Sequence, residues 1–326
     1  MTMSLVRRQF LQLASGAAAL PITAHFAKAE AFPVRPVHIA VAFPPGAPSD
    51  IAARLIAQPL QQRMGQPVVV DNRPGAGGNV ATAAVVRAAP DGYTLLLASG
   101  NNAINATLYR NLPFDFIRDI AMVAGILRGP LVMVINPSLP AKDVTEFIAY
   151  AKANPGKINM ASAGNGTVTH LAGELFMMMA GVAMVHVPYQ GALALPDLVA
   201  GRVQVMFAAA PAVIGFIRDG RLRALAVTTA ARWPALPEIP PVADAVPGYE
   251  VSTWFGLGAP KATPPAVIAK LNTETNASLA DRALVARMAE LGGVPMVLSP
   301  SELDAFVVAD TDKWAKVVKF SGAKVD

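Results

Sequence analysis

No cysteine occurs among the 326 residues of this chain. That removes disulfide scaffolds, iron–sulfur clusters, cysteine-ligated zinc and thiol nucleophiles from consideration. Charge is scarce too, with 15% charged residues against 53% hydrophobic ones, a balance that excludes intrinsic disorder. Long apolar runs are also missing. The stretch 121–135 is broken by Arg128, and 175–187 by His186 soon after its small Ala/Gly centre. Neither reaches the roughly 18 apolar residues of a spanning helix. Most of the apolar content is alanine and valine, as in a well-covered α/β core. The length suggests about two domains, ample to bury a core. The net charge of +5 owes much to Arg7, Arg8 and Lys28; without them 24 basic residues face 22 acidic ones. So small and dispersed an excess gives no basic face for nucleic acid.

The first 29 residues carry no acid and read as an address. Arg7-Arg8-Gln9-Phe10-Leu11 is followed by a stretch rich in Ala, Leu and Gly, then by Ala27-Lys28-Ala29. Paired arginines, a moderately apolar segment and a small-x-small site predict an export signal of twin-arginine type. Val6 and Gln12 depart from the usual form of that signal, where Ser or Thr and Lys are common. Cleavage after Ala29 and a periplasmic location follow; an ordinary amphipathic N-terminal helix is the alternative.

From residue 36 the pattern alternates between short β-branched runs and helical ones. Strands are expected at 37–43, 67–70, 93–98, 131–135, 157–162, 184–187, 203–207 and 222–227. Helices are expected at 51–64 with a kink at Pro59, then at 80–88, 144–153, 169–180, 193–200 and 214–219. After a proline-rich connection, further helices are expected at 265–280, 281–291 and 300–320. Such alternation predicts mostly parallel sheets in an α/β fold. Two successive βα runs, followed by helices that return to the first, predict two lobes joined by two crossover strands and a cleft that can hinge.

Ligands in open α/β sheets sit beyond the carboxyl ends of the strands. Three loops have that placement: 44–50, 99–102 and 162–167. Orphan amides and the positive end of a helix dipole make such turns anion sites. Gly46, Gly164 and Gly166 allow close backbone approach. Ser49 or Asp50 could cap one helix, and Thr167 or Thr169 another. The residues are compatible both with two helix N-termini, one per lobe, facing one anionic group and with two ordinary capped turns. No cation lies in these loops, so a carboxylate held by amides and waters suits them better than a polyphosphate.

Catalytic patterns are sparse. The chain has no nucleophile elbow, Walker loop, zincin motif or dinucleotide fingerprint. His38 is expected in the core. His170 and Glu174 share a helix face and could share a metal, but no third ligand is in view; His170 is expected to orient the cleft loop instead. Met177–Met179 reads as core filling. No cofactor and no metal are expected.

Several motifs stand in order: Phe43-Pro44-Pro45-Gly46-x-x-x-Asp50, Asn72-Arg73-Pro74-Gly75-Ala76-Gly77-Gly78-Asn79, Asp91-Gly92-Tyr93-Thr94-Leu95 and Ser162-x-Gly164-x-Gly166-Thr167-x-x-His170-Leu171-Ala172-Gly173-Glu174. After them come His186-Val187-Pro188-Tyr189-Gln190-Gly191, Gly201-x-Val203-Gln204-Val205-Met206-Phe207, Leu222-Arg223-Ala224-Leu225-Ala226-Val227 and Trp254-Phe255-Gly256-Leu257. The ordered set, spanning nearly the whole chain after residue 29, resembles the Bug family, the extracytoplasmic solute receptors of tripartite tricarboxylate transporters. The resemblance implies a type II periplasmic-binding-protein fold, a Venus flytrap of two doubly wound α/β lobes. Residues 30–130 plus 252–326 would form one lobe and 131–251 the other. It implies capture of a small carboxylate, or sometimes a neutral cyclic compound, for membrane permease subunits or a sensor, by a protein that is usually a monomer. The loops matching the family's grip carry Phe43, Pro45, Gly46, Ala47, Ser49 and Asp50 on one side, and Ser162, Ala163, Gly164, Asn165, Gly166, Thr167 and His170 on the other. Ser99, Asn101, Tyr189 and Ala208 complete the expected lining, with Trp254 a further candidate wall. Two positions depart from the family. Ala47 stands where a second glycine is usual, which questions a turn needing positive φ there. Ala208 stands where an Asp is common, which favours an aliphatic or aromatic acid over an amino acid or amide. The rivals are an enzyme using Asp50, His170 and Glu174 as acid and base in one cleft, and a purely structural exported protein.

Overall fold

The computed structural model describes residues 32–189 and 193–325. The export signal expected at 1–29 lies outside the described residues. Ten strands connect in the order β2-β1-β3-β9-β4-β7-β5-β6, with β8 and β10 also paired to β4. The strands are β1 Val37–Val41, β2 Val68–Asn72, β3 Thr94–Ser99, β4 Ile120–Ile135, β5 Asn159–Ser162, β6 Val185–Pro188, β7 Val205–Ala209, β8 Arg223–Val227, β9 Ser252–Pro260 and β10 Val294–Pro295.

β4 is the member common to both halves. It pairs antiparallel with β9 from Ile120↔Pro260 to Pro130↔Ser252. From Leu131 onward it pairs with β7 and β8 instead. The expected strand at 131–135 is therefore only the last third of a 16-residue strand. The missed part contains Arg128, which interrupts the apolar run, followed by Gly129 and Pro130. Pro130 has no N–H to donate, and it stands where the ladder changes partners, a place that tolerates its loss. The expectation of mostly parallel sheets is corrected in the same way. The outer strands are parallel, β1 with β2 and β3, and β5 with β6 and β7. The centre is antiparallel, because β4 leaves one half while β9 returns to it.

Helices cover both faces: α1 Pro48–Met64, α2 Asn79–Val86, α3 Gly100–Leu108, α4 Phe116–Asp119, α5 Val144–Ala153, α6 Val168–Ala180, α7 Ala194–Val199, α8 Ala210–Arg218, α9 Pro265–Ser278, α10 Arg282–Glu290 and α11 Pro300–Ser321. α1 continues through Pro59 and ends at Gly65, whose φ of 68° closes the last turn with an amide bond to Gln61. α11 opens with a capping box between Ser299 and Glu302. Its first half supplies Leu303 and Val307 to a core shared with Leu96, Phe114 and Trp254. Its second half supplies Trp314, Val317 and Val318 to the core around Phe147, Phe176 and Phe207. Between them the buried Asp310 accepts from the Trp254 indole at 2.9 Å and pairs with Lys313 at 2.8 Å. Trp254 is thus a core residue and does not wall a distal pocket.

β4 tolerates no added bulk at Gly125, where a Cβ would run into the Met296 backbone carbonyl. Gly125→Ala is expected to destabilise the fold by about 1–3 kcal/mol through overpacking, read as a lower thermal unfolding midpoint. An unchanged midpoint would mean the strand can shift away from that carbonyl.

Candidate ligand-binding site

β1 and β3 are parallel neighbours, with Ala40 opposite Leu96. Their carboxyl ends therefore deliver the loops 43–47 and 99–101 side by side. The first loop is built around Asp50. Its carboxylate accepts the Gly46 amide at 2.9 Å, the Asn72 side-chain amide at 3.0 Å and Arg54 Nε at 3.0 Å. Asn72 also donates to the Phe43 carbonyl at 2.8 Å. These bonds bend Pro44-Pro45-Gly46 back over the helix, and Gly46 takes the required left-handed φ of 83°. Ala47 has φ −68°, so the alanine there costs the turn nothing. Asp50 is 3% exposed. Hydrogen bonding from Arg54 is the largest influence holding its pKa below the usual carboxylate range; burial opposes it, and the Gly46 and Asn72 bonds reinforce it.

α1 begins at Pro48, three residues earlier than expected, with Ala47 at the N-cap and no side-chain cap. Neither Ser49 nor Asp50 caps it. Proline is pre-organised for a first helical turn and has no amide to orphan, a signal that Pro48 carried in the sequence. The first intrahelical bond runs from Ile51 to Ala47. Helix geometry therefore leaves the Ser49 and Asp50 amides without intrahelical acceptors. The Ser49 hydroxyl is buried, and among the described residues it has no hydrogen-bond partner.

The second loop follows β5. Thr167 caps α6, accepting from the His170 amide, and its hydroxyl donates to the Gly164 carbonyl at 2.7 Å. Thr169 accepts the Ala163 amide at 2.9 Å, and Ser162 Oγ accepts the Gly164 amide at 3.1 Å. The Gly166 amide donates to His170 Nδ1 at 3.1 Å. That bond makes Nδ1 an acceptor, so the neutral ring carries its proton on Nε2 and donates it to Glu174 at 3.2 Å. His170 does orient the loop, as expected, and Glu174 is its partner within the protein. Gly166 is required twice, by its φ of 71° and by Leu108 of α3, which would collide with any Cβ there.

Leu108 ends α3, so the loop packs directly against the helix that follows β3. A second contact lies at the start of both helices. A Cβ on Gly100, the first residue of α3, would sit 3.1 Å from the Val168 side chain, the first residue of α6. The N-termini of α3 and α6, one from each side of β4, therefore adjoin. Ser99 precedes α3 and donates its amide to Asn102 Oδ1 at 2.9 Å; Asn101 is half-buried in the first turn, and Asn165 is exposed at the tip of the facing loop. Tyr189 binds the Ser162 carbonyl through its amide and Asp197 through its hydroxyl at 2.7 Å. Ala208, 1% exposed, lies in the core cluster with Val132 and Met206.

Two histidines behave differently from expectation. His38 is not in the core: its side chain is 43% exposed and lies 2.9 Å from Asp71, because the end of a short strand reaches solvent on that face. His186, which no pattern singled out beyond its motif, stacks on His170 with centroids 3.7 Å apart and planes 13° apart. Its Nε2 lies 2.6 Å from Ser162 Oγ. Serine beside histidine invites comparison with a hydrolytic dyad. However, Ser162 has no exposed surface. Burial, and then the neighbouring His170 ring, push His186 down to about 4, making it a weak base at neutral pH. Asp50 and His170 likewise spend their polar atoms on protein partners, and Glu174 gives one carboxylate oxygen to His170.

Comparison with known proteins follows the same lines. The family model for the tripartite tricarboxylate transporter family receptor matches residues 52–322. The chain is 38% identical over 317 residues, 96% of each chain, to protein BugT of Bordetella pertussis. It is similar to a solved structure of R. palustris Rpa4515 with adipate (38% identity, TM-score 0.79), covering 90% of this chain and 100% of that one. It is also similar to MatC of Rhodopseudomonas palustris with bound malate (32% identity, TM-score 0.75), covering 88% and 100%.

Because the Asp50 pKa is lowered in the fold, its stabilising contribution is fully present above the unfolded aspartate value of about 4 and lost as pH falls through the folded value. The stability difference between wild type and Asp50→Asn is expected to shrink as pH falls from about 6 to about 3. A difference constant with pH would show that the carboxylate charge does not hold the loop.

Proposed function

Because the chain belongs to the tripartite tricarboxylate transporter receptor family, we propose that it captures a small carboxylate between its two lobes in the periplasm, for delivery to membrane permease subunits or a sensor. The observation that carries this for the chain itself is Ser49. A buried hydroxyl without a protein partner costs about 1–3 kcal/mol. Here it stands beside orphan amides at the positive end of a 17-residue helix. A carboxylate oxygen, directly or through a water, is the acceptor such a cluster lacks. The adipate and malate of the related structures have that group in common.

The negative charge of Asp50 would repel an acid, but Arg54 pairs with it at 3.0 Å and leaves the loop close to neutral. Across the cleft, the amides at the start of α6 and the Ser162–Thr167 loop would take the same carboxylate. A ligand touching both lobes stabilises the closed arrangement by its contacts with both. The lobes we infer are 30–130 plus 252–326 and 131–251, a division supported by the change of partners along β4 at Pro130. Ala208 is buried in the core and brings no carboxylate toward a ligand amine or amide, which we read as favouring an aliphatic or aromatic acid. Residues 1–29 act as the export signal in this account, and the receptor works as a monomer without cofactor or metal. Among the described residues no helix is long and apolar enough to cross a membrane.

An acid-base enzyme on this scaffold would need a free base; Asp50 and His170 are engaged with protein partners and His186 is a weak base, which argues for a receptor. Incubation with the bound acid should return it unaltered; turnover lost on His170→Ala would favour the enzyme.

A ligand at about 100 times its Kd should add about 2.7 kcal/mol to stability, so a thermal-shift panel of mono-, di- and tricarboxylates should give a clear response. Ser49→Ala is expected to raise the stability of the unliganded protein by about 1 kcal/mol while weakening carboxylate binding about tenfold. Unchanged affinity in this variant would remove Ser49 from the site.

A further inference from the structure

The bonds of the stacked His170 and His186 rings go to protein partners, and His170 holds the loop proposed to take the carboxylate. His170 is 4% exposed and reaches the Gly166 amide, 3.1 Å away, through the lone pair of Nδ1. This bond exists only while Nδ1 is unprotonated. A proton there would set two donors against each other and push Gly166 away. The turn would not yield piecemeal, because Thr167 ties Gly164 through both its amide and its hydroxyl. Segment 164–167 would move as a unit, against Leu108 of α3.

The surroundings direct a proton to one ring. Two imidazolium rings with centroids 3.7 Å apart repel strongly, so the stack accommodates a single charge. Glu174, 3.2 Å from His170 Nε2, gives that ring a counter-charge. His186 faces the Ser162 hydroxyl instead and is held neutral by burial and by its neighbour. Among the packed elements, α3, β5 and β7 carry no charged side chain. Tyr249 donates to the Ala172 carbonyl of α6, and on α11 Asp310 is tied to Trp254 and Lys313. Glu174 is thus the charged group in contact with the stack among the described residues.

We propose that His170, stacked on His186, is a proton-operated positioning residue for the ligand loop: neutral, it holds the Gly166 amide in place; protonated, it releases it, and the receptor lets its acid go. This rests on the carboxylate-receptor function proposed above, and two measurements separate the failure of each. The first needs no ligand. In glycine-labelled protein, the Gly166 amide resonance should titrate together with the His170 ring, and should stay still in His170→Asn, which keeps an acceptor at the Nδ1 position but does not take a proton. His170→Gln serves if the asparagine variant folds poorly. A Gly166 resonance that ignores the titration of His170 overturns the proposal, whatever binds. The second measurement is adipate affinity between about pH 7.5 and about pH 5. Protonation of adipate weakens wild type and variant alike, so the ratio is read. The wild-type Kd should rise about tenfold more than that of His170→Asn. Equal pH dependence in the two proteins also overturns the latch. If the Gly166 resonance titrates as expected but no carboxylate binds at pH 7.5, the switch stands and the receptor function falls.

Discussion

One strand carries both halves of this protein. β4 runs 16 residues and exchanges β9 for β7 and β8 at Pro130, so each half completes its sheet on the same backbone. A strand shared in this way cannot leave either half without breaking a ladder. It can twist where the partners change, because Pro130 donates no bond there and Gly129 precedes it. The return path through β9 pairs alongside, and α11 contributes one half of its length to each core. The connection is therefore continuous but narrow, which is what a hinged pair of lobes requires. The carboxyl ends of β1, β3 and β5 open on the same side of that connection.

The loops at those ends divide labour between side chains and backbone. Asp50, Asn72, Thr167, Thr169 and His170 use their polar atoms to fix loop geometry. What they leave unbonded is peptide N–H at the helix starts and one serine hydroxyl. A site of this kind recognises a carboxylate without a free cation. It costs little reorganisation, because the donors are already held in place. The Asp50–Arg54 pair cancels a charge that would oppose an acid in the proposed site.

Much of this was legible in the sequence because it is local. The helix at Val144–Ala153 matches expectation at both ends, since Asp143 caps it and Glu146 follows in the first turn. The glycine-containing loops and the role of His170 were legible for the same reason: a histidine at the third position of a helix lies over the loop before it. The failures came from partners distant in the chain. The length of β4 is hidden in the sequence, because Arg128 interrupts its apolar run and nothing there shows β9 or the exchange of partners. His38 looked buried because a short apolar strand does not say which end meets water. His186 lies 16 residues from His170, and only the parallel pairing of β5 with β6 brings its side chain to Ser162 and the stack. Pro48 is the local signal of the start of α1, stronger there than the polar Ser49 and Asp50 that follow it.

The central claim, a carboxylate held between two lobes by backbone amides, is tested most directly by native mass spectrometry of the protein purified from the periplasm of producing cells. The account predicts one small acid retained per chain, exchangeable for added adipate or a related carboxylate and absent after unfolding and refolding. A protein of bare polypeptide mass that takes up no mono-, di- or tricarboxylate when these are added would contradict it.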